Sequence, residues 1–86
     1  MSINGSVFLV MDRANICGMR VHQARTQHKL QQIELSAALE VECGVKISQS
    51  DVSEIERGVR GVKDYELDAL ARVLSVSPSW LLRGQE

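Results

Sequence analysis

Apolar residues recur at helical spacing along most of this chain, and each recurrence stops at a residue that favours a helix end. From Asn15 onward, Ile16, Val21, Ala24 and either Met19 or Gln23 can share a stripe behind an Asn15 cap, which predicts a first helix of about 12 residues to around Gln27. In QQIELSAALEVEC, residues 31–43, Leu35, Ala38 and Leu39 fall on one face, with Glu34, Glu40 and Glu42 away from it and Gly44 as a natural stop. After the connection GVKI, Ser48 begins a third helix that turns Val52 and Ile55 inward and ends at Gly58, a residue suited to the left-handed conformation there. DYELDALARVL, residues 64–74, places Leu67, Leu70, Ala71 and Leu74 three and four apart, with Asp64 or Lys63 at its cap. Pro78 suits the first turn of a last short helix, whose Trp80, Leu81 and Leu82 close the core. No strand is needed to bury such a domain, so the expected class is all-α, a compact bundle of five helices.

The ends read differently. MSINGSVFLVMDRA, residues 1–14, has a turn-like Asn4-Gly5 and a β-prone run but no period, and is expected to be a flexible or loosely docked extension. A short strand pairing with a second copy of itself is the sharper alternative, because a lone strand leaves its backbone groups unpaired. Met11 also offers a natural start. The domain is expected over residues 15–83, with 84–86 as a tail.

Composition narrows the class. Eighty-six residues make one core, and 44% apolar against 24% charged supports folding over disorder. Cys17 and Cys43 are too few for a disulfide framework and lack the partners of a four-ligand metal site, so reduced thiols and no cofactor are expected. The longest apolar run, VFLVM at residues 7–11, is far short of a membrane span. The expectation is a soluble, cytoplasmic protein with no membrane partner.

The net charge of -1 excludes nucleic-acid binding through overall basicity, so any such binding must come from local asymmetry. Residues 13–29 supply some, with Arg13, Arg20, Arg25, Lys29 and two histidines and no acid, while Arg57, Arg60 and Lys63 form a second basic group. Between them SQSDVSEIERG, residues 48–58, has the rhythm of a DNA-reading helix yet carries Asp51, Glu54 and Glu56. Phosphates repel carboxylates. Each acid therefore needs an employment that keeps it off the backbone of the duplex.

Ser48 as N-cap puts Asp51 at the third helical position, where it can return to the Ser48 N–H and sit in the favourable field of the helix start. The alternative is that Asp51 faces bases and rejects wrong sequences by repulsion. Glu56 follows Ile55 onto the partly buried side and needs a partner, for which Arg25 is the best candidate, unless both are solvated surface charges. Glu54 shares the outward face with Gln49 and Ser50, flanked by Ser53.

GMRVHQAR, then Leu30, Gln32, Leu35 and Ser36 in the order L-x-Q-x-x-L-S, then SQSDVSEIERG and LDALARVLSVSPSWLL, together resemble the phage repressor and Cro type of helix-turn-helix domain over residues 15–83. Within it the chain looks like the branch whose fourth helix begins with a DYEL-like sequence. The resemblance implies a lambda-repressor-like five-helix bundle in which residues 48–57 enter the major groove and the second helix crosses the backbone. It implies base reading by Gln49, Ser50, Ser53 and Glu54, with Gln49 suited to adenine N6 and N7 and Glu54 to cytosine N4. Gln32 stands at the family's phosphate-contacting position, Arg57, Arg60 and Lys63 are placed to meet phosphates, and Arg25 with Glu56 matches an internal ion pair clamping the first helix to the third. So few cations make one copy a weak binder, which implies a homodimer on half-sites about 34 Å apart.

Three departures stand out. The connection between second and third helices, within EVECGVK, is longer than the family's by about six residues. Lys29 stands where the family has Gly, which would force a lysine toward positive φ at roughly 1 kcal/mol. Gln31 replaces the usual Thr cap. Rival readings are a helical protein-interaction module, or an antitoxin-like regulator with a protein partner. A metal or thiol site from His22, His28, Cys17 and Cys43 fits no ligand spacing or Cys–His–acid arrangement, so no enzyme is expected.

Overall fold

The computed structural model describes residues 13–85; the strand, the alternative start and the flexible extension expected of residues 1–12 lie outside them. Among the described residues there are five helices and no strand: α1 Gly18–Gln27, α2 Gln32–Cys43, α3 Gln49–Arg57, α4 Asp64–Leu74 and α5 Pro78–Arg83. Leu35, Leu39, Ile47, Val52, Ile55, Leu70, Leu74 and Leu81 fill the aliphatic core, with α3 seated against α1 and α2 and α4 beneath them.

The phase of α1 differs from the expected one. Ile16 and Met19 stand 60% and 67% exposed, and the inward stripe is Cys17, Val21 and Ala24. The cause is the start of the helix. Asn15 Oδ1 accepts from the Cys17 and Gly18 N–H groups at 3.0 and 2.8 Å, so Ile16 lies in a capping turn ahead of a ten-residue helix. Asn15 Nδ2 donates to the carbonyls of Ile55 and Arg60, tying the start of α1 to the end of α3. Helix and helix then approach so closely that a Cβ on Gly18 would lie 2.1 Å from Ile55 O, which explains the glycine.

Lys29 adopts φ 58°, the left-handed turn anticipated for it, and Gly44 and Gly58 end α2 and α3 in the same region. Gln31 makes no side-chain cap, but Glu34 Oε1 accepts from the Gln31 N–H at 2.7 Å and so satisfies that donor from the other side. The residues EVEC, expected in a lengthened connection, extend α2 instead, and the link of residues 44–48 that remains is ordered by burial: Ile47 is core, and Ser36 Oγ donates to its carbonyl at 2.6 Å. In α5 only Leu81 is buried, while Trp80 and Leu82, expected inside, are half-buried because a six-residue helix turns one residue fully inward. None of the helices described is long and apolar enough to cross a membrane.

Candidate nucleic-acid interface

The N-terminal ends of the second and third helices meet on one polar face, where Gln49 Nε2 lies 3.0 Å from Gln32 Oε1. Ser48 caps α3: its Oγ accepts from the Asp51 N–H at 3.0 Å and its own N–H donates to Asp51 Oδ2 at 3.2 Å. Those hydrogen bonds from Ser48 hold the Asp51 carboxyl below its ordinary range, with Arg60 adding a smaller charge effect. One acid is thus consumed by the helix start.

Glu56 is the second. Arg25 donates to it from Nε at 2.6 Å and from Nη2 at 3.0 Å, with side chains only 10% and 6% exposed. Arg25 Nη1 also donates to Leu30 O at 2.8 Å, so the guanidinium joins α1, the turn after it and α3. Burial pushes the Glu56 carboxyl up, but hydrogen bonds from Arg25, His22 and Gln32 and the Arg25 charge outweigh it and bring it below its ordinary value. Ionised and surrounded, this carboxylate faces inward.

The same cluster reaches the outer face. Gln32 Nε2 donates to Glu56 Oε1 at 3.2 Å, and Gln49 Nε2 donates to Gln32 Oε1 at 3.0 Å. A chain of donors therefore runs from the buried ion pair through the first residue of α2 to the first residue of α3 and orients both amides. Gln49 and Ser50 are exposed, and Ser53 and Glu54 are half-buried beside them. Arg57 Nε donates to Ser53 Oγ at 3.3 Å, one turn back along the helix. Lys63 Nζ stands 5.9 Å over the Tyr65 ring.

Arg60, expected to meet phosphates, is engaged by acceptors of the protein itself. It donates to Glu66 from Nη1 and Nη2 at 3.0 Å each and to Gly61 O at 2.8 Å, and its Nε lies 3.6 Å from Asp51 Oδ1. All three nitrogens face protein acceptors, because Glu66 is buried at the start of α4 and needs that donor beside the Lys63 N–H. The motif spacing placed Arg60 correctly in the loop but missed Glu66, whose acidity in DYEL reads as an ordinary first-turn charge. Arg60→Ala is expected to lower stability by about 1–3 kcal/mol, the cost of a buried acceptor losing its main donor. Urea unfolding checks this, and a midpoint equal to wild type would return Arg60 to the surface.

His22 and Asn15 were also missed as members of this region. His22 Nδ1 lies 3.0 Å from Glu56 Oε1, and His28 Nε2 lies 2.7 Å from Leu74 O, so neither histidine is a bare surface residue. Cys17 is buried, and burial pushes its thiol up, away from nucleophilic use. Among the described residues no group of three His, Cys, Asp or Glu is placed to hold a metal ion.

The sequence profile of the helix-turn-helix family matches residues 21–81. Among solved structures, the P22 c2 repressor protein, crystallised in complex with synthetic operator 9T in the presence of Tl+, is 30% identical with a TM-score of 0.69. That match covers 83% of this chain and 98% of that one. No curated protein sequence matches the chain significantly.

Proposed function

This chain belongs to the helix-turn-helix family, in its phage repressor and Cro branch, and from that premise we infer how it reads DNA. It is a sequence-specific regulator that binds double-stranded DNA. Helix α3 enters the major groove with Gln49, Ser50, Ser53 and Glu54 toward base edges, while Gln32 and the N–H groups opening α2 meet a phosphate across the groove. The observation that carries this reading is the disposal of the acids. Asp51 is held by Ser48 and Glu56 by Arg25, so of the three carboxylates on α3 only Glu54 is left to face a base.

A carboxylate on the reading face lowers affinity for DNA in general and raises selectivity, because in the groove only the amino groups at cytosine N4 and adenine N6 offer it a donor, while guanine and thymine edges turn acceptors toward it. Arg57 and Lys63 are the cations placed for phosphates, so each copy neutralises few charges. The working unit proposed is a homodimer in the cytoplasm, with no catalytic step.

Selection from random duplexes, followed by titration of the recovered sequence, tests the reading. The expected result is a saturable complex of two copies, with log K falling against log salt at a slope near -2 for each copy, about -0.9 per neutralised phosphate. An interaction module that had kept only the fold would recover no sequence and bind no mixed duplex at low salt.

A further inference from the structure

Two large apolar side chains at the start of α1, Ile16 and Met19, face outward although both are candidates for its inward stripe. They do not stand on a flat surface. Ile16 lines two neighbouring grooves, one of about 310 Å³ shared with Met19, Arg13 and Arg20, the other of about 430 Å³ shared with Val62, Leu67 and Leu82. Val62, Leu67 and Leu82 are themselves only half-buried. Apolar surface therefore extends from α1 past the loop before α4 to α5, and a contiguous patch of this kind marks a place where something docks.

The grooves hold nothing with which to fix a polar ligand. Asn15 spends its amide on the carbonyls of Ile55 and Arg60 and its oxygen on the Cys17 and Gly18 N–H groups, and Arg20 Nη1 donates to Leu81 O at 3.5 Å. Among the described residues no buried side-chain nitrogen or oxygen lacks a partner. Sites for small molecules enclose them and orient them with a few placed polar groups. An open apolar groove suits a stretch of polypeptide instead.

The chain carries such a stretch beside the grooves. The described structure begins at Arg13, which lines the first groove, and Ala14 lines the second. Both residues are pinned to the end of α3: the Ala14 N–H donates to Gly58 O at 2.8 Å, and Arg13 Nη1 donates to Arg57 O at 3.5 Å. The point from which the preceding residues leave is thus fixed on the rim. Only Asp12 separates it from VFLVM, residues 7–11, an uncharged and wholly apolar run. Five residues reach about 17 Å when extended. A tether this short gives an effective concentration on the order of millimolar, far above that of a second copy in a micromolar solution.

We propose that the paired grooves at the start of α1 are the docking site of residues 7–11 of the same chain, which cover Ile16 and Met19 and fasten the entry of α1 to α4 and α5. The proposal stands apart from the DNA-binding reading, since the grooves are built from α1, α4 and α5 and lie off the outward face of α3.

Nuclear Overhauser contacts in the full-length wild type test it. Phe8 is the only phenylalanine of the chain, so its ring protons identify the segment. The expected result is contacts from that ring or the Leu9 methyls to the methyls of Ile16, Met19, Leu67 or Leu82, and their absence from an isotope-filtered spectrum of mixed labelled and unlabelled chains, which records contacts between copies only. Their presence in the filtered spectrum would assign the grooves to a second copy, and no contact with any groove residue would leave them without this occupant; either overturns the proposal. Thermal melts of full-length variants give an independent reading. Leu9→Asp should lower the melting temperature by on the order of 5–10 °C for a domain of this size. Combined with Met19→Asp, the loss should be smaller than the sum of the two single losses, because a segment already displaced has no contact left to lose. A melting temperature of Leu9→Asp equal to wild type, or strictly additive losses, would likewise sink it.

Discussion

Arg25→Ala is expected to lower the melting temperature by on the order of 15–25 °C at pH 7. The guanidinium is nearly buried and supplies two of the hydrogen bonds to Glu56, along with the positive charge that faces it. Removing one partner of a buried pair leaves the other as an uncompensated ion, which costs about 3–5 kcal/mol, and a domain of this size loses roughly 4–8 °C per kcal/mol. His22 and Gln32 remain as donors and limit the loss. Arg25 also holds the Leu30 carbonyl, so the turn carrying the strained Lys29 loosens with it.

The dependence on pH has a definite sign. The Glu56 carboxyl lies below its ordinary value in the folded chain, as do Asp51 and Glu66, so each contributes stability that is present above the unfolded value near 4 and is lost as pH falls through the folded value. In Arg25→Ala, burial acts on Glu56 with less to oppose it, and its carboxyl moves up. The gap between variant and wild type should therefore narrow in acid, because protonation removes the stranded charge in one protein and the ion pair in the other. Thermal melts at pH 7 and pH 3 measure both effects. An unchanged melting temperature at pH 7 would mean that the pair is solvated and contributes nothing.

What could be read from the chain alone was whatever depends on local spacing. Ser48 and Asp51, Gly44, Gly58 and the stripe of α4 follow from residues three or four apart, and the left-handed Lys29 follows from one position in a familiar pattern. Contacts between elements were harder to see. Glu66 looks like a helix-start acid until Arg60, six residues earlier in the loop, folds back on it. The inward place of Cys17 over Ile16 depends on an Asn15 side chain bonding to α3, forty residues away, and hydrophobicity ranks those two the other way. Ile47 lies in a stretch that reads as a connection, and only the Ser36 hydroxyl on its carbonyl shows that the connection is part of the core. A reason for each acid on α3 is legible separately in the order of residues, whereas the line of donors from Arg25 through Gln32 to Gln49 is visible only in three dimensions.

That line makes the reading face a test of its own. Gln49→Ala should lower affinity for the selected duplex by roughly five- to 150-fold, the 1–3 kcal/mol of a bidentate base contact, and lower affinity for mixed sequences far less. Because Gln49 also holds the Gln32 amide, part of the loss should reappear as a weaker phosphate contact in a Gln32→Ala, Gln49→Ala double-mutant cycle. Glu54→Ala should act in the opposite sense on unselected DNA: a carboxylate leaves the surface, so binding to mixed duplexes tightens while discrimination at one base pair falls. Arg57→Ala should weaken every sequence alike and reduce the salt slope by about 1 per copy, as a phosphate contact does. Parallel titrations on selected and scrambled duplexes separate these patterns. If all three variants lost the same factor on every sequence, the outward face of α3 would be touching backbone alone. Selectivity would then have to come from the shape of the duplex, and Glu54, with no base to receive from, would have no reason to stand where phosphates approach.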